Sequence, residues 1–398
     1  MAILELPQLY KDVQAEARAV GEQVAPFAAE ADECSEIHGP TLAVLRASRL
    51  CELTVPSAYG GRFEQVDPLA VCVAREACMK ASAHLDALLA LQGIGSYAIA
   101  LGGTETQRRS WLPRVASGES LAALALTEPE AGSDLKAITA TLRPSGTAGE
   151  GFVLSGRKSF ISNAPVADFF TTLVREPASG EGEEDRYSVV LVPADSPGVR
   201  ITPSPEIIAP HVLGEVDFVD VPLTAEHRLG TPGRGFAHVL ATLSVFRSSV
   251  AGAAVGLMEG ALEIATRHAV ERHQFGRPLA RLGAVANLLA DSWGDLESSR
   301  LLAYRAADMA RQDPATTLDY SSMAKVAATE AAARVVDRCV QIMGRWGLIK
   351  GSRIEQYYRQ ARPMRIYEGA SEVLRLGIAG RLCRDVLEAG ATPAERGS

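Results

Sequence analysis

The stretch YSVVLV at residues 187–192 decides the fold class, because it is the clearest of four short runs of β-branched and aromatic residues in the middle of the chain. The other runs cover residues 152–156, 169–174 and 216–221, and Gly, Pro, Ser and Asp separate them. Runs of this length with such boundaries predict β-strands. The hydrophilic segment 177–186 between two of the runs predicts a solvated loop.

The sequence on both sides of this β-rich centre favours helices. Ala, Leu, Glu and Arg dominate the N-terminal part, and from Val250 to His268 apolar residues recur at spacings of three and four, which is typical of an amphipathic helix. The uncharged stretch Ala87–Thr104 is long enough to span a membrane, but it contains Gln92 and several glycines. It therefore predicts a buried core helix that ends near Gly102.

These patterns predict a mostly α protein with a central β domain. The changes in composition also suggest domain boundaries. We predict an N-terminal helical domain at residues 1–120, a middle β domain at 121–232, a C-terminal helical bundle at 233–388 and a tail at 389–398.

Composition and charge exclude several classes of function. The 398 residues are 47% hydrophobic and 22% charged and carry a net charge of −8, which is typical of a soluble globular protein. Lys and Arg form no basic stripe, so neither nucleic acid nor a membrane is expected as a partner. The six cysteines form no disulfide framework or metal-ligand spacing, and no signal-peptide pattern is visible. Together these features predict free thiols and a cytoplasmic location.

Common cofactor and catalytic motifs are also missing from the sequence. No G-x-G-x-x-G follows a predicted strand, and neither a phosphate-binding loop nor a G-x-S-x-G motif occurs. The seven histidines show no metal-binding helix spacing, so we expect no metal site.

Four other segments carry the candidate chemistry. They are LTEPEAGSD at residues 126–134, GRKSFISNA at 156–164, RHQFG at 272–276 and IYEGASE at 366–372. In this order they resemble the acyl-CoA dehydrogenase family, and the resemblance extends over residues 10–385. It implies that family's fold, an N-terminal helical domain, a middle β-barrel and a C-terminal four-helix bundle, and it implies FAD as the cofactor.

The first two segments suit a flavin. Thr127 and Ser133 supply hydroxyl groups on a turn whose backbone N–H groups can bind an anion, while Phe160 offers an aromatic face and Ser162 another hydroxyl. By resemblance, residues 272–276 reach FAD held mainly by a neighbouring subunit, which implies a homo-oligomer, a tetramer or a dimer. The resemblance assigns contacts with FAD to Leu126, Thr127, Gly132, Ser133, Phe160, Ser162, Arg272, Gln274, Phe275, Gln341, Gly344, Ala370 and Glu372.

Glu368 is the candidate catalytic base. The α-proton of a thioester is weakly acidic, so a positioned carboxylate must remove it while hydride leaves the β-carbon, and a water-poor pocket would raise the pKa of that carboxyl. Some relatives carry the base immediately before the arginine that matches Arg247, but this chain has Phe246 there. The resemblance also implies an oxyanion hole made by the Glu368 N–H and a ribityl hydroxyl of FAD. The candidate substrate-binding residues are Ser133, Ser244, Arg247 and Gly369.

The resemblance implies an oxidoreductase of fatty acid metabolism that converts a saturated acyl-CoA to the trans-2-enoyl-CoA and passes electrons to an electron-transfer flavoprotein. The chain departs from the family pattern at Ser244, Ala370, Arg345 and Leu282-Gly283, which leaves the acyl carrier open between CoA and a carrier protein. Three alternatives stay open. They are the same chemistry on a carrier-protein-bound acyl or aminoacyl group, a flavin monooxygenase on the same fold, and a non-catalytic helical interaction protein.

Overall fold

The structure is a computed structural model that describes residues 5–145, 151–178, 180, 182 and 184–390. It is mostly helical with one central β-sheet, as the sequence predicts. The order along the chain is helices, then strands, then helices.

The N-terminal part is helical. Asp67 accepts hydrogen bonds from the N–H groups of Leu69 and Ala70 at 2.9 and 3.1 Å, and Ser82 accepts one from Leu85 N at 3.2 Å. These caps satisfy backbone donors that have no partner inside a helix, and they begin two successive helices, α4 and α5. The helices are α1 (Gln8–Val24), α2 (Ala28–Ala31), α3 (Gly39–Ala47), α4 (Pro68–Ala81), α5 (Ala83–Gly102) and α6 (Glu105–Ala116).

The central strands form one sheet of eight strands in the order β6-β7-β3-β2-β4-β5-β8, with β1 paired to β4. The pairs of β4 with β1 and with β2 are parallel, and the other pairs of this sheet are antiparallel. The strands are β1 (Ala122–Ala125), β2 (Thr141–Ser145), β3 (Gly151–Ser162), β4 (Phe169–Glu176), β5 (Arg186–Pro193), β6 (Val199–Pro203), β7 (Leu213–Thr224) and β8 (Arg228–Leu229).

All four predicted runs are strands of this sheet, β3, β4, β5 and β7. The predicted loop at 177–186 connects β4 to β5, although positions 179, 181 and 183 lie outside the described residues.

The C-terminal part returns to helices. Helix α7 follows the sheet and packs against α4, α8 and α9. A two-stranded hairpin, β9 and β10, follows α7. The elements are α7 (Gly235–Glu271), β9 (His273–Gln274), β10 (Arg277–Pro278), α8 (Gly283–Gln312), α9 (Leu318–Met343), α10 (Arg353–Ala361) and α11 (Ser371–Gly390).

The element limits lie close to the predicted domain limits, since α6 ends at Ala116 and α7 begins at Gly235. The division into domains itself stays a prediction. Most of the predicted tail, residues 391–398, falls outside the described part of the chain, and α11 extends to Gly390.

Two helices, α5 and α7, are long and apolar enough to cross a membrane by length and composition alone. Both are mostly buried within the protein, 72% of the most apolar stretch of α5 and 89% of that of α7, as is usual for a core helix of a soluble protein. The predicted core helix is therefore confirmed, with its end at Gly102. All six cysteines are free, as expected.

Candidate active site around Glu368

Glu368 lies in the short segment before α11 and has an unusual backbone conformation. Its φ is +52°, and that of Gly369 is +104°. The left-handed region costs a non-glycine residue roughly 1 kcal/mol or more, so surrounding contacts must hold Glu368 there. Glycine accepts such a φ freely, and a Cβ at position 369 would stand 2.7 Å from Leu374 Cδ2.

Two buried cations hold the backbone of this segment. Arg247 on α7 donates from Nε to the Glu368 carbonyl at 2.9 Å, and Lys325 on α9 donates from Nζ to the Gly369 carbonyl at 2.7 Å. Arg247 is 6% exposed and Lys325 is fully buried. Burial lowers the pKa of Lys325 to about 8, although the nearby Glu368 carboxylate opposes the shift. Lys325 therefore still carries most of its charge at neutral pH.

The Glu368 carboxyl group lacks a complete set of hydrogen bonds within the described residues. Its Oε2 atom is buried and has no hydrogen-bond partner among the residues that the structure describes. Burial raises the pKa of Glu368, while the positive charges of Arg75, Arg247 and Lys325 lower it, in that order of strength. A buried polar atom without a partner is unusual in a folded protein and points to a group that a ligand completes.

Arg247 and Ser244 face inward in this structure. Besides the Glu368 carbonyl, Arg247 donates from a terminal nitrogen to Ser322 Oγ at 3.0 Å. Ser244 is buried and donates to the Pro314 carbonyl. The Arg247 guanidinium is thus engaged with the segment around Glu368, and the assignment of both residues to the substrate's thioester arm stays a prediction.

The two segments predicted to hold the flavin ring lie together. Ser159 N donates to the Thr127 carbonyl at 2.9 Å, so the turn after β1 sits beside the end of β3. Lys158, which directly precedes Ser159, is fully buried. Its Nζ donates to the Leu126 carbonyl at 3.0 Å and to Glu128 Oε1 at 2.9 Å.

Several groups of these segments remain available to a planar ligand. Phe160 has a φ of +54° and is 51% exposed, which is unusual for a large aromatic side chain on a central strand. Gly132 has no neighbour within 4 Å of a built Cβ, and Ser133 beside it is exposed. Ser162 Oγ bonds His211 Nε2 at 2.9 Å. An exposed aromatic face flanked by hydroxyl and backbone groups fits an isoalloxazine ring.

The other predicted cofactor residues divide into two sets. Ala370 and Glu372 directly follow the Glu368-Gly369 pair at the start of α11. Arg272, Gln274 and Phe275 directly follow the C-terminal end of α7. About 25 residues, or roughly 37 Å of helix, separate Arg272 from Arg247.

Gln341 and Gly344 lie at the C-terminal end of α9. About 16 residues, or roughly 24 Å of helix, separate Gln341 from Lys325. The fold therefore does not bring these two far groups to Glu368 within one chain. Their predicted contact with a neighbouring subunit's FAD stays a prediction.

Four residues of the site were not anticipated from the sequence: Arg75, Asp86, Lys325 and His211. Lys325 had a signal, because it is a lone lysine in the small and apolar run Ser321–Ala328 of α9. Asp86 stands at the entrance of the uncharged stretch of α5. Arg75 and His211 had no local signal that marks them as parts of the site.

Comparison with known proteins assigns the chain to a family. The N-terminal, middle and C-terminal domains of acyl-CoA dehydrogenases match residues 9–119, 123–221 and 233–383. Cyclohexane-1-carbonyl-CoA dehydrogenase of Geobacter metallireducens is 31% identical over 370 residues, which cover 92% of this chain and 95% of the relative.

Solved structures agree with this assignment. Butyryl-CoA dehydrogenase from Megasphaera elsdenii has a TM-score of 0.89 at 28% identity, over 96% of this chain and 99% of that one. An acyl-CoA dehydrogenase from Bacillus anthracis complexed with FAD has a TM-score of 0.87 at 26% identity, over 97% of this chain and 68% of that one. With its three domains matched in order and Glu368 held between two helices of the last, the chain belongs to the acyl-CoA dehydrogenase family.

Proposed function

We propose that this protein catalyses the FAD-dependent α,β-dehydrogenation of an acyl-CoA thioester to the trans-2-enoyl-CoA. The observation that carries the proposal is the Glu368 carboxyl, which is buried, lacks a partner at Oε2 among the described residues and has a raised pKa. A base of this kind suits the removal of a weakly acidic proton near neutral pH.

FAD is the cofactor of this function, and the residues around Phe160 fit it. When bound, FAD supplies the acceptor for the hydride that leaves the β-carbon. The chain's contribution is to present a flat aromatic surface at Phe160 and hydroxyl groups at Thr127, Ser133 and Ser162. Lys158 Nζ and Glu128 Oε1 form a buried ion pair at 2.9 Å. This pair stabilises the turn that carries Thr127 and Ser133.

Glu368 takes the α-proton onto its carboxylate. Arg247 and Lys325 hold the carbonyls of residues 368 and 369, which fixes the backbone from which this side chain extends. Their positive charges also favour the deprotonated carboxylate and so counteract part of the effect of burial. The result is a base stronger than an exposed glutamate, because burial raises the pKa of Glu368 despite the three nearby cations.

The thioester carbonyl needs hydrogen-bond donors as negative charge develops on its oxygen. The backbone N–H of Glu368 donates to no group among the residues with described positions, so it is available for this role. Removing one donor of an oxyanion hole costs about 3–4 kcal/mol of transition-state stabilisation in enzymes where this has been measured.

We further propose that the electrons pass to an electron-transfer flavoprotein and that the enzyme acts in the cytoplasm as a homo-oligomer. The far ends of α7 and α9 support the oligomer, because their predicted cofactor residues are remote from Glu368 within one chain. Large apolar side chains are exposed there, with Phe275 87% exposed and Leu348 74%.

Anaerobic mixing of the purified holoenzyme with acyl-CoA thioesters tests the proposal. We expect the flavin absorption to bleach with at least one thioester. Glu368→Gln should bind the same thioester yet reduce its flavin at least about a hundredfold more slowly, since a positioned general base contributes about 10²–10⁴ in rate.

Glu263→Gln is the matched control, because this carboxylate lies on α7 with half of its side chain exposed and pairs with Lys80 and Arg267, away from Glu368. It should reduce flavin at the wild-type rate. Unimpaired flavin reduction in Glu368→Gln would refute the assignment of the base, and a purified protein that takes up no FAD would refute the function as a whole.

A further inference from the structure

His211 contacts one of the residues that are predicted to bind the flavin. It lies in the loop between β6 and β7, and its Nε2 atom is 2.9 Å from Ser162 Oγ, within hydrogen-bonding distance. The proposed reaction assigns no role to this histidine. A hydroxyl has only one hydrogen to donate, so a side chain that bonds it decides what it can still offer to a ligand.

The backbone next to His211 holds the ring against Ser162. Val212 is buried, and its carbonyl accepts a hydrogen bond from Asn163 N at 2.9 Å. Leu213 then pairs with Ser162 itself where β7 lies beside β3. The contact between the imidazole and the hydroxyl is therefore set by the pairing of two strands.

Ser162 lies on the face that is predicted to hold the flavin. Ile161 packs into the core of the sheet and is 2% exposed, whereas Phe160 is half exposed and Ser162 partly exposed. Successive side chains of a strand point to opposite faces, and residues two apart are separated by about 7 Å. A flavin ring system is longer than this, so a ring stacked on Phe160 reaches the Ser162 hydroxyl with its edge.

His211 is uncharged at neutral pH. Burial lowers the pKa of His211 to about 4, and the nearby His84 adds to this shift. Burial also lowers the pKa of His84 to about 4, so neither ring carries a charge. An uncharged imidazole has one N–H and one acceptor nitrogen, so Nε2 of His211 either donates to Ser162 Oγ or accepts from it.

The two directions of this hydrogen bond offer a flavin different partners. If Nε2 donates, Ser162 keeps its own hydrogen for the ligand, and if Nε2 accepts, only lone pairs of Oγ remain. The polar edge of an oxidised flavin presents more acceptors than donors, and the arrival of a hydride adds negative charge to it. A donor that points at this edge therefore favours the reduced form.

We propose that His211 is a positioning residue, which holds the Ser162 hydroxyl as a hydrogen-bond donor towards the bound flavin and so raises the flavin's reduction potential. This inference rests on the proposed function for its cofactor, FAD, but it is independent of which acyl group is oxidised.

Reductive titration of the purified holoenzyme against a reference dye of known potential tests the inference without any acyl-CoA. His211→Gln can place its amide nitrogen near the position of the imidazole Nε2, whereas His211→Asn is one methylene shorter and does not reach Ser162. We expect His211→Asn to lower the equilibrium constant of flavin reduction by about tenfold, which is about 30 mV for a two-electron couple. His211→Gln should stay within about twofold of the wild-type constant.

A double variant shows whether His211 acts through the hydroxyl. Ser162→Ala should lower the potential by about as much as His211→Asn does, and the two substitutions together should lower it little further, because they remove the same interaction. His227→Asn is the control, since His227 follows the opposite end of β7, roughly 37 Å of strand from Leu213. It should keep the wild-type potential.

Three results would overturn the proposal: a potential that is unchanged or higher in His211→Asn, one that is unchanged or higher in Ser162→Ala, or two losses that add fully in the double variant. A lower Tm without a change of potential would mean a purely structural role and count against it equally. If His211→Asn does not fold, His211→Phe, which keeps a ring at this position, takes its place with the same expected loss.

The titration also separates this inference from the proposed reaction. If the potentials change as expected but no acyl-CoA bleaches the flavin, the dehydrogenase function fails while the role of His211 stands. If acyl-CoA bleaches the flavin but His211→Asn keeps the wild-type potential, the role of His211 fails alone. A purified protein that takes up no FAD would refute both.

Discussion

At the scale of single residues, two buried cations bind the backbone of the segment that carries Glu368. Lys325 and Arg247 come from different helices, α9 and α7, and each binds one of two successive carbonyl groups. Together they hold Glu368 at a φ of +52°. Lys325 is therefore a positioning residue with an additional electrostatic effect on the base.

Lys325→Met should lower kcat for flavin reduction by roughly tenfold and change KM by less than about twofold, because a hydrogen bond from a charged donor is worth about 1.5–3 kcal/mol. The pH profile should move as well. In the proposed mechanism Glu368 acts as the deprotonated base, so the rate should rise with pH through its pKa. Loss of the Lys325 charge raises that pKa, and the rising limb shifts to higher pH.

The exposed Lys350 provides the control, and Lys350→Met should keep both the rate and the pH profile. A purely structural role for Lys325 would lower stability without moving the rising limb. A variant that is stable, fully active and unshifted in pH would show that Lys325 does not position Glu368.

The sequence predicted only part of this residue-scale picture. Glu368 and the flavin segments were identifiable because they lie in contiguous motifs whose order is specific. Arg75, Asp86 and Lys325 lie on three helices, up to 250 positions apart, and each affects the pKa of Glu368 only because those helices pack together. The burial of a charged side chain depends on such packing, and no local spacing reveals it.

At the scale of elements, close helix packing around α7 sets the geometry of the site. A Cβ at Gly256 would stand 1.9 Å from the Glu76 carbonyl of α4, and one at Gly252 would stand 2.4 Å from the Cys72 carbonyl. The two backbones approach so closely that only hydrogen fits between them. Since α4 carries Arg75 and α7 carries Arg247, this contact fixes the spacing of both cations.

Gly256→Ala should therefore destabilise the protein by about 1–3 kcal/mol through overpacking, visible as a lower Tm. The matched substitution is Gly294→Ala on the exposed side of α8, where no atom lies within 4 Å of the added Cβ. There the change should stabilise by about 0.5–1 kcal/mol, because glycine weakens a helix interior. Equal Tm values for the two variants would contradict the close contact of α4 with α7.

The sequence predicted the longer strands of the sheet but not the short ones. The longer strands were predicted because Val, Phe and Tyr cluster in them. Strand β1 reads Ala-Ala-Leu-Ala, which favours a helix locally, and β2 contains Pro144. Strand β8 has only two residues. Pairing with neighbouring strands determines such short elements, and local composition does not.

At the scale of the whole molecule, the residues at the far ends of α7 and α9 that are predicted to bind FAD lie far from Glu368 within one chain, and the proposed second subunit would account for them. Phe275 stands out because it is 87% exposed on a hairpin tip and has a φ of +51°. An exposed aromatic in a strained turn suits an anchor that enters another surface.

Phe275→Asp should weaken the oligomer and lower the FAD content of the purified protein, as measured by light scattering and by the ratio of flavin to protein absorbance. Ile208→Asp is the control, because Ile208 is also exposed, at 60%, but lies outside the predicted cofactor contacts. A Phe275→Asp protein that keeps its mass in solution and its full flavin content would remove the basis for a shared site.

The buried ion pair of Arg75 and Asp86 lies on α4 and α5, which precede the sheet in the sequence. This placement has an evolutionary consequence. Arg75, the cation with the largest effect on the pKa of Glu368, is encoded in the first quarter of the chain, whereas Glu368, Arg247 and Lys325 are encoded in the last two fifths. Recombination within the intervening β-rich region could exchange one set without disturbing the other. Chimeras with relatives cut in this region should keep Glu368, Arg247 and Lys325 together, and the rising limb of their pH–rate profile should move to higher pH when the N-terminal parent lacks a cation at the position of Arg75.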